Sequence, residues 1–271
     1  MIRVEFIRQL RRARTWGHIG ALAVVPILVG IANYVEKGNP GTLRRNLYFL
    51  GTNNAVNFGI FMLLIMSNFF IVVVVASLSG ESVSGEASWG TLRYLLIRPV
   101  RRPKLILAKV FVATILAFAA TILIVVVSVA IGALLFGWHD VLTIGPGGRI
   151  RFEIISPWEG LWRLGIATLY VGVCMLFVVA VGIFLSTLTD STAAAVVGTI
   201  VVAVTCGVLL QVPSLEGIRP VVPTKYWGEY NGLFNPDGTS DLWKGVVSSL
   251  SWSTLFISAS LVRFQRKDIT S

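Results

Sequence analysis

Six stretches of this sequence contain no Asp, Glu, Lys or Arg, and their lengths limit the fold more than any other feature. They cover residues 15–35, 46–80, 110–139, 164–189, 191–215 and 245–262, or 21, 35, 30, 26, 25 and 18 residues. One charged side chain at the centre of a bilayer costs about 2.5–3.5 kcal/mol, and a helix crosses the hydrocarbon with about 20 apolar residues. Each stretch therefore supplies one spanning helix. The fold class that follows is an all-α integral membrane protein, a single transmembrane domain over residues 1–271. Its spans are expected near 17–35, 55–79, 109–136, 162–187, 192–212 and 245–262. Composition points the same way: 55% of residues are hydrophobic and 13% charged, where a soluble domain carries about a quarter charged. A water-soluble enzyme is excluded. Between the fourth and fifth stretches stand only Leu188, Thr189, Asp190 and Ser191, a tight turn in which Asp190 or Ser191 can cap the next helix.

The formal charge of +10 would suggest nucleic acid in a soluble protein, but here it records orientation instead. On the side of the N-terminus lie 14 of the 23 Lys and Arg and five of the 13 acids; the other side holds nine basic and eight acidic residues. Basic residues collect on the cytoplasmic side, so both termini are expected there. The N-terminus is expected to be retained rather than cleaved as a leader, since its apolar run is longer than a usual signal core and Glu36-Lys37-Gly38-Asn39-Pro40 offers no small-residue cleavage pattern. Residues 2–14 place Ile2, Phe6, Leu10 and Ala13 at helical spacing among five arginines. Two readings fit, an interfacial helix over anionic lipid and an ordinary positive flank.

Several chemistries lack their residues. There is no GxxxxGK[ST] and no Gly-Lys dipeptide, so the chain cannot build that phosphate cradle. No ionisable side chain falls deep inside a span, which disfavours an ion-coupled carrier. Cys174 and Cys206 both sit in apolar stretches, and His18 and His139 have no Cys or His neighbours at ligand spacing; no metal site or bound cofactor is expected. The polar groups within spans are neutral. Asn57, at the outer entrance of the second, and Ser67 and Asn68, near its middle, are candidates either for helix-to-helix hydrogen bonds or for a substrate pathway.

The segment 80–108 is the one long inward-facing stretch. It runs acidic first and basic afterwards, and Trp89, Leu92 and Leu96 recur at three- and four-residue spacing. That spacing predicts a short helix with one apolar face, ended by Pro99. The order Glu86, Gly90-Thr91-Leu92, Leu95-Leu96, Pro99-Val100, Arg101-Arg102 and Lys109, with the basic ending Phe264 to Ile269, resembles the permease subunits of ABC-2-type exporters, and the resemblance extends over essentially the whole chain. It implies a six-span half-transporter in the plasma membrane of a prokaryote, working with a second permease copy or paralogue and with two separate ATPase subunits that bind ATP and Mg. In such a protein 80–108 supplies the coupling helix, and the docking residues would be Glu86, Trp89, Thr91, Leu92, Leu95 and Arg98. The function implied is export of an amphipathic or hydrophobic compound. The alternatives are a non-transporting membrane scaffold or sensor and an ion-coupled carrier.

On the outer side, 213–244 carries four prolines together with Tyr226, Trp227, Tyr230, Phe234 and Trp243. It reads either as re-entrant pieces entering the membrane or as an aromatic belt at headgroup level. Pro157, in Ser156-Pro157-Trp158, is placed to begin a helix.

Overall fold

A computed structural model describes residues 2–36, 51–88, 102–144, 150–235 and 241–266. In chain order the described elements are α1 (Ile2–Leu10), α2 (Ala13–Glu36), α3 (Ala55–Ser67), α4 (Phe70–Ser88), α5 (Arg102–Phe136), β1 (Val141–Ile144), β2 (Ile150–Ile155), α6 (Pro157–Leu188), α7 (Thr192–Leu209) and α8 (Leu242–Arg266). Six of them, α2, α4, α5, α6, α7 and α8, are long and apolar enough to cross a membrane, and the chain is a multi-pass membrane protein. Among the described residues the architecture is helical apart from one antiparallel hairpin, β1 with β2, in which Val141 pairs with Ile155 and the register shifts between Leu142 and Thr143. The all-α expectation missed this hairpin because 140–153 contains four charged residues and a Gly-Pro-Gly-Gly run, which reads as a loop.

The helices α4 and α6 are buried along most of their length, whereas α2, α7 and α8 leave most of theirs exposed at the periphery. Lipid tails are as apolar as leucine, so helices in a membrane associate through close packing rather than through the hydrophobic effect. Small residues make that packing possible here. A Cβ at Gly182 in α6 would overlap Ser79 of α4, and one at Gly80 would lie 3.1 Å from the Val196 backbone of α7. Outward, Trp158 and Trp162 are each 72% exposed and Trp243 is 65% exposed, positions suited to the headgroup layer.

Helix ends follow local chemistry. Ser156 accepts a hydrogen bond from Glu159 N at 3.3 Å with Pro157 next to it, and Ser191 accepts one from Ala194 N at 3.4 Å, both N-caps of the usual kind. Helix α5 closes on Gly137, whose φ of +83° is the left-handed conformation that glycine adopts without a Cβ clash.

Two spans differ from the expected bounds. The second is two helices, interrupted at Asn68 and Phe69, with Asn68 still in the right-handed region at φ −81°, ψ −23°. Its second half continues through Gly80 to Ser88, beyond the point where the apolar run stops. The third begins at Arg102 rather than Lys109, and its 35 residues extend roughly 50 Å, well past the roughly 30 Å of hydrocarbon. Thus 80–88 and 102–108 of the expected coupling segment are the ends of spanning helices. The short helix predicted between them lies outside the described residues.

Candidate functional site

The most concentrated chemistry lies at the end of the bundle that carries the start of α1 and the end of α8. Lys109, seven residues into α5, is completely buried. An ammonium has three N–H donors, and all three are used. Nζ donates to Glu5 Oε1 of α1 at 3.0 Å, to the Ser82 carbonyl of α4 at 2.7 Å and to Glu86 Oε1 of α4. Arg8 of α1 also donates to Glu86 Oε1 and lies 3.8 Å from Glu5. Two carboxylates and two cations therefore balance in one group that joins α1, α4 and α5, buried except for Arg8, which is partly exposed. Buried ions are tolerated when they are paired and hydrogen-bonded, which is the condition met here. A second pair, Arg14 with Glu81 at 3.1 Å, ties the start of α2 to α4, and Ser77 Oγ donates to the same Glu81 carboxylate at 3.4 Å.

The placement of α1 follows from its sharp junction with α2. Thr15 Oγ1 donates to the Gln9 carbonyl at 2.7 Å and Trp16 Nε1 to the Leu10 carbonyl at 2.9 Å, satisfying carbonyls that the end of a helix leaves open. The face of α1 turned to the protein is Glu5 and Gln9, both buried, flanked by Phe6 and Leu10; Ile2 is exposed. The apolar stripe expected from Ile2, Phe6, Leu10 and Ala13 is thus only half used, because the acid has a buried partner in Lys109.

Next to this group α4 carries an unusual local network. Ser186 of α6 accepts hydrogen bonds from Val83 N at 3.0 Å and Ser84 N at 2.7 Å, so a hydroxyl from another helix shares donors that normally serve the helix ladder. Ser79 and Ser84 in turn donate to the carbonyls of Val75 and Gly80, each at 2.7 Å. Side chains inserted into the ladder are a known cause of helix bending. Around the group opens a basin of about 660 Å³ lined by Arg8, Arg12, Arg14, Glu81, Glu86 and Thr192.

The other expected site residues are dispersed. Asn57 uses both ends of its amide on one strand residue: Nδ2 donates to the Leu142 carbonyl at 2.9 Å and Oδ1 accepts from Leu142 N at 3.1 Å. Asn54, the N-cap of α3, donates to the carbonyls of His139 and Asp140 at 3.0 and 2.6 Å. Ser67 lies 3.4 Å from the Tyr230 hydroxyl. Asn68 is exposed and donates to the Leu64 carbonyl at 3.4 Å, beside Phe69, which is 53% exposed. Glu86, by contrast, is 1% exposed and bound into the ion group. Trp89, Thr91, Leu92, Leu95 and Arg98 lie outside the described residues.

The segment between α7 and α8 contains short 3-10 turns at Pro213–Leu215, Arg219–Val221, Pro223–Tyr226 and Glu229–Phe234. Trp227, Tyr230 and Phe234 are buried in the bundle. Arg163 donates to the Leu233 carbonyl at 2.8 Å and the Tyr170 hydroxyl to the Tyr226 carbonyl at 2.6 Å. Ser67 is the thirteenth residue of α3, so the Tyr230 hydroxyl meets that helix roughly 18 Å along from its start. Burial pushes the Tyr230 phenol up to about 12, keeping it a neutral hydrogen-bonding group.

The sequence matches the model of a family described as protein of unknown function (DUF2705) over residues 27–270. The chain belongs to the DUF2705 family. A search of curated proteins finds no match. In this DUF2705 protein the matched range starts inside α2, so the ion group joins two residues inside it, Glu86 and Lys109, to two before it, Glu5 and Arg8. The sequence signal for the missing half was a single acid, Glu5, among five arginines in the first 14 residues. Among the described residues no group of three His, Cys, Asp or Glu is arranged to hold a metal, and both cysteines are free, Cys174 buried and Cys206 half-buried.

Proposed function

We propose that this DUF2705 protein is the transmembrane permease subunit of an ATP-driven exporter of the ABC-2 type, moving an amphipathic or hydrophobic compound out through the plasma membrane. Energy comes from two separate ATPase subunits, and a second permease copy or paralogue completes the pathway. The observation that carries this reading is the course of α4. It runs unbroken from the interruption at Asn68 and Phe69 to Ser88, where Glu86 is bonded to both Lys109 and Arg8. Its 19 residues make a lever of roughly 28 Å. Force applied to the sequence immediately after it, which holds Trp89, Thr91, Leu92, Leu95 and Arg98, would move α1, α4 and α5 as one body about the interruption at Asn68. Rigid-body motion of this kind is how membrane transporters alternate access.

The interruption is also the place where cargo is best met. Ala55 to Ser67 measures roughly 20 Å and α4 roughly 28 Å, so Asn68 lies near the middle of the combined length. There a polar amide and the rings of Phe69 and Phe70 are all exposed on the bundle surface. An amide facing hydrocarbon is unfavourable without a partner, and an amphipathic cargo or a second permease copy supplies one. Exposed apolar rings beside a single amide suit a hydrophobic compound with a polar head.

The test is affinity purification of the tagged full chain from its native membrane. The expected result is co-purification of a Walker-motif ATPase and ATP-dependent efflux of a hydrophobic dye in vesicles, both lost in Leu92→Asp. Purification free of any such ATPase, or a Leu92→Asp protein with complex and efflux intact, overturns the proposal.

A further inference from the structure

Two depressions lie one after the other along one face of α4. Val74, Leu78, Glu81, Gly85 and Ser88 follow at spacings of four, three, four and three, which places them on a single helix face. The last three line the basin of about 660 Å³ at the terminus-bearing end. The first two line an apolar groove of about 170 Å³ between α2, α4 and α5, together with Thr15, His18, Leu22 and Ala119. On α5 the groove begins at Leu116, seven residues or roughly 10 Å deeper than Lys109. A charged basin therefore opens at headgroup depth directly above a narrow apolar slot at acyl-chain depth.

The charges in the basin do not balance internally. Three guanidiniums, Arg8, Arg12 and Arg14, meet two carboxylates, Glu86 and Glu81. Arg8 pairs with Glu86 and Arg14 with Glu81; Arg12, half-buried between them, has no carboxylate at ion-pair distance among the described residues. Arg12, in the bend between α1 and α2, also feels the like charge of Arg8. One further anion at this point relieves both. Within the slot, His18 Nδ1 is buried and has no hydrogen-bond partner among the described residues, at the level between headgroup and tail where an acyl ester carbonyl would lie.

We infer that this is a binding site for an anionic phospholipid, its phosphate on Arg12 and Arg14, its glycerol esters at His18 and one acyl chain in the slot beside Leu78 and Ala119. A zwitterionic lipid brings an ammonium that the arginines repel, and a free phosphate leaves the slot empty. The site is independent of the exporter reading, since no ATPase enters it.

The experiment uses the full chain purified in detergent, with vesicles of phosphatidylglycerol, vesicles of phosphatidylcholine, or inorganic phosphate added. Bound lipid is read by native mass spectrometry and stability by thermal melting. Phosphatidylglycerol is expected to stay bound and raise the melting temperature, and phosphatidylcholine to do neither. Arg12→Gln and Ala119→Trp, the latter filling the mouth of the slot, are each expected to lower phosphatidylglycerol occupancy about fivefold. If Arg12→Gln does not fold, Arg12→Lys is compared with Ala119→Trp, and lipid kept in the first and lost in the second sustains the site. Equal retention of phosphatidylcholine, stabilisation by inorganic phosphate alone, or full occupancy in Ala119→Trp overturns it.

Discussion

Lys109 has a carboxylate on either side and a carbonyl above it, and it has no exposed surface. Removing one partner of a buried ion pair costs about 3–5 kcal/mol because the remaining charge is left without compensation. Lys109→Met is therefore expected to lower stability by about that amount, read from thermal melting in detergent. Adding Glu5→Gln and Glu86→Gln to the same chain should recover most of the loss, since no unpaired charge then remains. A triple variant as unstable as the single one contradicts this account. Asn57 and Asn68 make a second contrast. Both atoms of the Asn57 amide bond the Leu142 backbone, so Asn57→Ala is expected to cost about 1–3 kcal/mol in the same assay. Asn68 is exposed and makes one long bond, so Asn68→Ala should change stability by less than about 0.5 kcal/mol while altering efflux of the dye. The sequence singles out Glu86, Asn57 and Ser67 as chemically distinctive, but their partners stand 23, 85 and 163 positions away. Nothing in local spacing connects residues that far apart.

At the scale of elements, α4 departs most from its sequence reading. Hydropathy ends the second span at Gly80 because Glu81 and Glu86 follow, yet the helix continues to Ser88 because each of those acids has a cation waiting on another helix. The interruption at Asn68 and Phe69 is equally hidden, since it falls inside an unbroken apolar run. Close contact of α4 with α6 depends on Gly182, where any Cβ would overlap Ser79. Gly182→Val is expected to destabilise by about 1–3 kcal/mol through overpacking, and Ser79→Ala in the same chain to relieve only part of it, because the Gly80 backbone lies 3.2 Å from that Cβ. Melting of the single and double variants checks the pair. Helix starts, by contrast, are legible: Ser156 with Pro157 and Ser191 act within three residues of themselves, and a cap needs no tertiary partner to be recognised.

For the whole molecule, Arg102 at the start of α5 donates to the last carbonyls of α8, Phe264 at 3.4 Å and Gln265 at 3.1 Å. The first helix reaches the same end through Lys109. Both described chain ends thus share one face of the bundle, the face with the ion group. With Cys174 and Cys206 replaced by Ala, a cysteine at Ser88 should react with an impermeant maleimide from the same side as one at Ser271, and a cysteine at Glu216 from the opposite side. Labelling of positions 88 and 216 from one side contradicts the arrangement. The sequence by itself determines that this chain enters a membrane and how many times it crosses, because the cost of a charge in hydrocarbon is paid residue by residue and is visible in any window. The tertiary structure decides where the second span is interrupted, which helices the aromatic segment 213–235 packs against, and which acid meets which base. Those outcomes depend on pairing across helices, and a buried charge is permitted only where a distant part of the chain brings its partner.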